Sequence, residues 1–202
     1  EAGRLTLNPF RHISLVGSVA VPIALYVFRA PMLFGWAKPV PFNPLNVKQH
    51  PRDQVMLALA GPFSNFILSF FAFNLYVSIG YLFNRVCPHS PVYLTLDLFT
   101  PVTFENVPAA GVWFVVFEIL GCAIVINVAL GVFNLIPFPP LDGFWVLRAV
   151  LPKKASVFIG KIQIFGFFLI LIALQLRVLE LFFYPAVIIL MTYQQIALAV
   201  LR

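Results

Sequence analysis

Asp142 is the residue of this chain with the clearest potential for chemistry. It lies in Asn134–Gly143, which reads Asn-Leu-Ile-Pro-Phe-Pro-Pro-Leu-Asp-Gly and follows a long apolar run. A carboxylate at membrane depth is costly to desolvate, so such a group usually faces a cavity or a partner and marks a functional site. Pro137, Pro139 and Pro140 end the preceding helix, whose last carbonyls then need water, side chains or an ion. The pattern favours a polar, metal-capable site at an unwound helix.

Two asparagines and a glycine accompany this carboxylate. Asn134 lies one turn before the break, and Asn127 lies seven residues earlier on the same helical face. Gly143 follows Asp142 and is expected to give the backbone conformational freedom there. A competing interpretation is that Asp142 only caps a following helix, 144–150. A cap would not require the asparagine and the three prolines, so a functional site is the preferred interpretation.

The composition indicates the elements that must position these residues. Of 202 residues, 61% are hydrophobic and 10% are charged, and the mean hydropathy is +0.98. A soluble domain is roughly 45–50% apolar and about 25% charged, so the chain is predicted to be an integral membrane protein. Its basic residues are scattered along loops, which gives no support for nucleic-acid binding. Two cysteines, Cys87 and Cys122, are too few for a disulfide framework.

Apolar segments long enough to cross a bilayer, about 20 residues each, predict an all-α polytopic fold with about four transmembrane helices. A fifth apolar segment, Ile13–Phe34, contains Pro22, Arg29 and Pro31 and is predicted to be re-entrant or interfacial, with a complete span as the less favoured alternative. The four predicted spans are Val55–Phe83, Val112–Pro137, Phe158–Leu176 and Leu179–Leu201.

Charge predicts the orientation of these segments. Basic residues predominate in 1–54 and 138–161, whereas the loop 84–111 carries Arg85 against Asp97 and Glu105. The positive-inside rule places basic loops in the cytoplasm. Asp142 is therefore expected near the cytoplasmic mouth of the protein.

One membrane-embedded domain, 1–202, is predicted, with three parts. Residues 1–54 would contain surface strands and the re-entrant segment, 55–152 the core helices, and 153–202 a helical hairpin. Proline-rich stretches at 3–9 and 36–47 cannot be helical throughout and could form a small β-sheet at the membrane surface. Such strands could pair with an extended substrate by strand addition.

Several motifs, taken in order, resemble the site-2 proteases, which are intramembrane zinc metalloproteases. The segment Asn134–Gly143 is similar to that family's N-x-x-P-x-P-x-L-D-G motif. The other matches are characteristic of its short bacterial branch without a PDZ domain. They are Ala-Gly-Arg-Leu-Thr-Leu-Asn-Pro at 2–9 with His12-Ile13, Gly-Trp-Ala-Lys-Pro-Val-Pro at 35–41 with Asn43-Pro44, and Ala-Gly-Pro-Phe-Ser-Asn at 60–65.

The resemblance implies a zinc site and assigns roles around it. Asp142 would be the third zinc ligand, and Asn134 a polar partner for the scissile peptide or its oxyanion. The helix with Asn65 would lie beside the metal helix, so that Asn65 lines the cavity. Asn127, on the face of Asn134, and Gly143, next to Asp142, are expected from their positions to line the same cavity. Pro62 in that helix has the alternative reading of a kink or a small-residue packing site.

The chain departs from the family pattern at one point. The first two zinc ligands and the general base come from an H-E-x-x-H helix, in which i and i+4 share one face. That motif is absent here, and His12, His50 and His89 have no histidine four residues away. Loss of an N-terminal segment is the expected reason, and this fragment by itself is expected to be inactive.

The function predicted is hydrolysis of peptide bonds in membrane-embedded protein substrates, in a bacterial inner membrane, with one zinc ion. The alternative is a non-catalytic membrane scaffold that keeps the fold without the metal. A small transporter could also use Asp142 as an ion site, but it predicts an inverted repeat, and the sequence contains none.

Overall fold

The computed structural model describes residues 13–29, 38, 51–88, 92–96 and 111–201. These residues are mostly helical, and no strand occurs among them. The predicted surface sheet falls on 3–9 and 36–47, which lie outside the described residues except for Lys38. The chain divides into two units, Glu1–Lys48 and Gln49–Arg202.

The described part of the first unit is one short helical segment. A π-helical stretch, Leu15–Ala20, continues into α1, Val21–Val27. Ser14 caps its start, because its Oγ accepts a hydrogen bond from the Gly17 amide at 3.1 Å. Arg29, with φ of 52°, follows its end. The apolar helix Leu15–Val27 is shorter than a membrane span, so its predicted re-entrant or interfacial placement remains a prediction.

Three helices of the second unit are long and apolar enough to cross a membrane. They are α2, Pro51–Val86; α3, Val112–Leu135; and α7, Val178–Leu201. The sequence predicted all three, although α2 extends beyond both predicted ends. Their outer surfaces expose many large apolar side chains, as lipid-facing helices do. These helices confirm the predicted helical membrane class.

The core lies where α2, α3 and α7 pack together. Tyr76 and Phe117 are fully buried, with ring centroids 5.0 Å apart, and Phe73 stacks on Tyr193 at 4.3 Å. Buried Ser69 of α2 donates a hydrogen bond to the Ile124 carbonyl of α3 at 3.3 Å. This bond gives the buried hydroxyl a hydrogen-bond partner within the protein.

Asn84 fastens the loop 92–96 to this bundle. Its Oδ1 accepts a hydrogen bond from the Val92 amide at 2.7 Å. Its Nδ2 donates to the carbonyls of Val92 at 3.2 Å and Leu201 at 3.0 Å. One side chain therefore ties the end of α2 to the loop and to the end of α7, while Val92, Leu94 and Leu96 enter the core.

Three shorter helices connect α3 to α7. They are α4, Asp142–Val150; α5, Lys153–Ile162; and α6, Gly166–Gln175, with a 3₁₀ turn at Gln163–Phe165 between the last two. The predicted continuous span Phe158–Leu176 is thus divided. At the start of α6, a Cβ on Gly166 would lie 2.9 Å from the backbone of Pro139, so the turn lets α6 approach the proline segment closely. The total number of crossings remains a prediction.

Candidate functional site

The proline segment after α3 is a compact series of turns. α3 ends at Leu135, and Ile136 is extended. The Phe138 amide donates to the Ile136 carbonyl at 2.7 Å, and the Leu141 amide donates to the Phe138 carbonyl at 2.9 Å. Ile136 and Leu141 are buried in a second apolar cluster with Leu179 of α7, supported by side chains of α6. The break is therefore held by the helices behind it.

Asp142 is the first residue of α4. The N-cap is Leu141, which makes no side-chain cap. The alternative that Asp142 caps a helix at 144–150 is therefore wrong, because the helix already begins at Asp142. Its carboxylate makes no hydrogen bond or ion pair with any described residue. A half-buried carboxylate at the positive end of a helix, whose oxygens accept from no described donor, can serve as a ligand.

Gly61 of α2 faces this carboxylate. A Cβ built on Gly61 would lie 3.1 Å from Asp142 Oδ2, closer than most real contacts of a methyl group. The missing side chain is what leaves room for the carboxylate against α2. The sequence motif at 60–65 contains Gly61 but does not by itself assign it a role. The available signal is a glycine inside an apolar helix, which usually has a packing or functional reason.

Gly143 is required for the close packing of α4 on the end of α3. A Cβ there would lie 2.2 Å from the Leu135 carbonyl oxygen and 2.6 Å from that of Ile136. The sequence-based expectation of backbone freedom at Gly143 was wrong, because the residue is helical. Its role in the structure is steric, since any side chain would separate the two helix ends.

The three asparagines occupy different places. Asn134 is half-buried in the last turn of α3, and its amide makes no hydrogen bond with described residues. Asn65 is half-buried one turn after Gly61 on the same face of α2. Asn127 donates to the Ala123 carbonyl of its own helix at 2.8 Å and lies two turns from the break. The junction between α3 and α4 thus brings together Asp142, Gly143 and the end of α3. It does not include Asn127.

An open apolar groove runs beside Gly61. It has a volume of about 300 Å³ and joins the first third of α2 to the end of α3. It is lined by Met56, Leu59, Ala60, Pro62, Phe63, Phe66 and Leu135. The groove has room for an apolar chain, and Leu135, the last residue of α3, forms one of its walls.

Electrostatics and donor chemistry indicate what the site can hold. Burial raises the pKa of the Asp142 carboxyl above its ordinary value, because a charged group loses hydration there. A carboxylate oxygen is a suitable zinc ligand, but catalytic zinc takes three protein ligands. No group of three His, Cys, Asp or Glu that could hold a metal occurs among the described residues. His12, His50 and His89 lie outside them. The described site therefore fits one ligand of a zinc ion and does not complete the set.

Comparison with known proteins bears on this arrangement. The sequence profile of peptidase family M50 matches residues 30–174. The chain belongs to peptidase family M50. The match includes the Ala60–Asn65 motif, the proline segment and Asp142, and it confirms the predicted relationship to the site-2 proteases.

A curated relative of this M50 chain carries the name "Putative zinc metalloprotease YwhC" and comes from Bacillus subtilis (strain 168). The two are 30% identical over 173 residues, which are 85% of this chain and 65% of the relative. The chain thus spans less than two thirds of that protein's length. No solved structure matches this M50 chain.

Proposed function

We propose that this chain is the membrane-embedded peptidase domain of a site-2-type zinc metalloprotease. It would hydrolyse peptide bonds of membrane-embedded protein substrates. The observation that carries the proposal is the Asp142 carboxylate at the broken end of α3 and opposite Gly61. No described residue forms a hydrogen bond or an ion pair with it. Its membership of family M50 supports the same conclusion.

Each residue of the junction has a proposed role. Asp142 would supply one oxygen ligand to zinc, and a zinc ion bound there would activate water and polarise a peptide carbonyl. The Asn134 amide, which no described residue engages, is free to donate a hydrogen bond to a substrate carbonyl. The apolar groove beside Gly61 would receive substrate side chains, and Asn65 would face the same cavity one turn away.

The proposal extends to the setting of the whole chain. Residues 1–202 would act as one domain in a bacterial inner membrane, with the basic stretches cytoplasmic. Asp142 would then lie near the cytoplasmic mouth. The excess of Arg148, Lys153, Lys154 and Lys161 over acids in 138–161 supports this orientation.

The proposal is tested with Asp142→Asn in the purified protein encoded by the complete gene. Zinc content is measured by elemental analysis, and cleavage with a membrane-embedded reporter substrate. Loss of even an outer partner of a metal ligand costs about 10–100-fold, so we expect at least about a 100-fold loss of cleavage together with loss of zinc.

Asp53→Asn is the matched control. Asp53 also lies in the first turn of a helix, α2, so the substitution removes the same charge in the same setting. It should leave zinc and cleavage unchanged. Full zinc binding by Asp142→Asn would refute the ligand assignment. If the parent protein neither binds zinc nor cleaves any reporter, the result would instead favour a non-catalytic scaffold.

A further inference from the structure

α5 is fixed to α4 through one face. Arg148 of α4 donates a hydrogen bond from Nε to Ser156 Oγ at 3.3 Å. A Cβ on Gly160 would lie 3.2 Å from a terminal guanidinium nitrogen of Arg148, so the glycine leaves space for this group. Arg148 also lies over the Trp145 ring, 5.4 Å from its centroid. Ser156 and Gly160 share one face, and this face of α5 is therefore turned toward α4.

The other face of α5 is exposed and has a regular composition. Lys154, Val157, Phe158 and Lys161 follow the spacing i, i+3, i+4 and i+7, which places them on one side of a helix. Val157 is 61% exposed and Phe158 is 67% exposed, and both lysines are exposed. We refer to these four residues as the outer face of α5. It has an apolar centre with a cation toward each end.

The lysines of the outer face have no acidic partner in the described part of the chain. Arg177 and Glu180 form its only ion pair, and Asp142 is the only acid in the sequence between Glu118 and Glu180. The Asp142 carboxylate itself lies against α2. Within the described part of the chain, the charge of Lys154 and Lys161 is therefore not neutralised.

We propose that the outer face of α5 docks on anionic phospholipid. Val157 and Phe158 enter the boundary of the acyl chains, while Lys154 and Lys161 extend to headgroup phosphates. Amphipathic helices with cations beside large apolar residues lie in the interface in this way. A lipid surface fits better than a soluble acidic partner, because α5 begins only 18 residues after the apolar span α3 ends. This inference does not depend on peptidase activity.

The test uses tryptophan quenching by brominated lipid. Phe158→Trp is made in protein whose Trp36, Trp113 and Trp145 are replaced by Phe, so that the single tryptophan lies on the outer face. The protein is placed in phosphatidylcholine vesicles containing equal amounts of either brominated phosphatidylglycerol or brominated phosphatidylcholine. We expect stronger quenching by the anionic lipid. From the two quenching curves, the relative association constant of the anionic lipid is obtained.

Lys154→Gln and Lys161→Gln should each lower that relative association constant about fivefold, since a cation near an anionic surface contributes about 1 kcal/mol. The double variant Arg85→Gln with Arg177→Gln removes two charges from other helix ends, twice as many as either lysine variant, and should leave the constant unchanged. Circular dichroism checks that every variant keeps its helices.

Three results would overturn the proposal. They are equal quenching by the two lipids, a preference that survives both lysine substitutions, and absence of quenching by either lipid, which would mean that protein covers this face. A salt titration of the single-tryptophan protein needs no lysine substitution. High salt must reduce the preference, because exposed charges are screened, and an unchanged preference would also contradict the proposal.

Discussion

At the scale of single residues, the site depends on the gap that Gly61 leaves in α2. Glycine is a poor helix former, and alanine in its place normally adds about 0.5–1 kcal/mol to the stability of a helix. Gly61 nevertheless lies inside the 36-residue α2, opposite a carboxylate. Its presence there is explained by the space that Asp142 requires, so stability and function should respond in opposite directions when it is replaced.

Gly61→Ala is expected to lower cleavage and zinc affinity at least about tenfold without lowering the melting temperature. The new methyl group would press on Asp142 Oδ2, and small displacements of reacting groups have large effects on rate. Zinc affinity and thermal unfolding are measured on the same preparation.

Gly80→Ala is the control for this prediction, since Gly80 is in the same helix. Its methyl would lie 3.0 Å from the flexible end of Leu201 and 3.8 Å from Phe117, and the second distance is an ordinary van der Waals contact. Normal zinc affinity in Gly61→Ala would show that the gap does not position the carboxylate.

The burial of Asp142 also leads us to expect that the stability of the metal-free protein depends on pH. Because burial raises the pKa of its carboxyl in the folded state, the folded chain holds the proton more tightly than the unfolded chain. Stability is then highest below the unfolded pKa and falls as pH rises through the folded pKa. Asp142→Asn, which has no charge to desolvate, should be slightly more stable than the parent at neutral pH.

Thermal unfolding of chelator-treated protein at acidic and neutral pH checks this prediction. The difference between parent and variant should disappear at acidic pH, where the carboxyl is protonated in both states. A variant less stable than its parent at neutral pH would contradict the desolvation argument.

At the scale of elements, the junction of α3 and α4 determines where the carboxylate lies. The prolines stop α3, the buried Ile136 and Leu141 anchor the turns, and Gly143 lets the first turn of α4 rest on the last carbonyls of α3. α6 reaches the same segment from behind, where Gly166 meets Pro139. The break is thus a rigid packed unit.

Gly143→Ala should therefore disrupt this junction. The Cβ would lie 2.2 Å from a backbone oxygen that cannot rotate away, and overpacking of this kind costs about 1–3 kcal/mol. We expect a lower melting temperature and loss of zinc binding together, which separates this variant from Gly61→Ala. A stability equal to that of Gly80→Ala would mean that the two helix ends are not in close contact.

At the scale of the whole molecule, the charge distribution predicts that the two ends of the α2–α3 pair face different compartments. In protein with Cys87→Ser and Cys122→Ser, a single cysteine replaces either Arg85 or Lys154, both exposed. The bacterial cells have their outer membrane removed and their inner membrane intact. A membrane-impermeant maleimide added to them should label Arg85→Cys. It should label Lys154→Cys only after the inner membrane is permeabilised. Equal labelling of the two before permeabilisation would refute the orientation.

Composition and spacing predicted the class of the protein and the residue, Asp142, on which the proposed chemistry rests. Long apolar runs have one stable arrangement in lipid, which is the helix, so the ranges of α2, α3 and α7 could be predicted within a few residues. Asp142 and Asn134 stood out because polar groups are expensive in such a chain. The motif order was sufficient to predict the family relationship that the match to peptidase family M50 confirms.

Only the tertiary structure decided which residues approach Asp142. Gly61 is 81 positions away in sequence, and neither composition nor helical period indicates that its missing side chain faces a carboxylate. The division of the predicted span at Gln163–Phe165 also depends on contact, because α6 fits against Pro139 only where Gly166 permits it. Local sequence determines where helices form and where they break. The fit between two helix surfaces depends on the side chains of both helices, so it is known only from the packed structure.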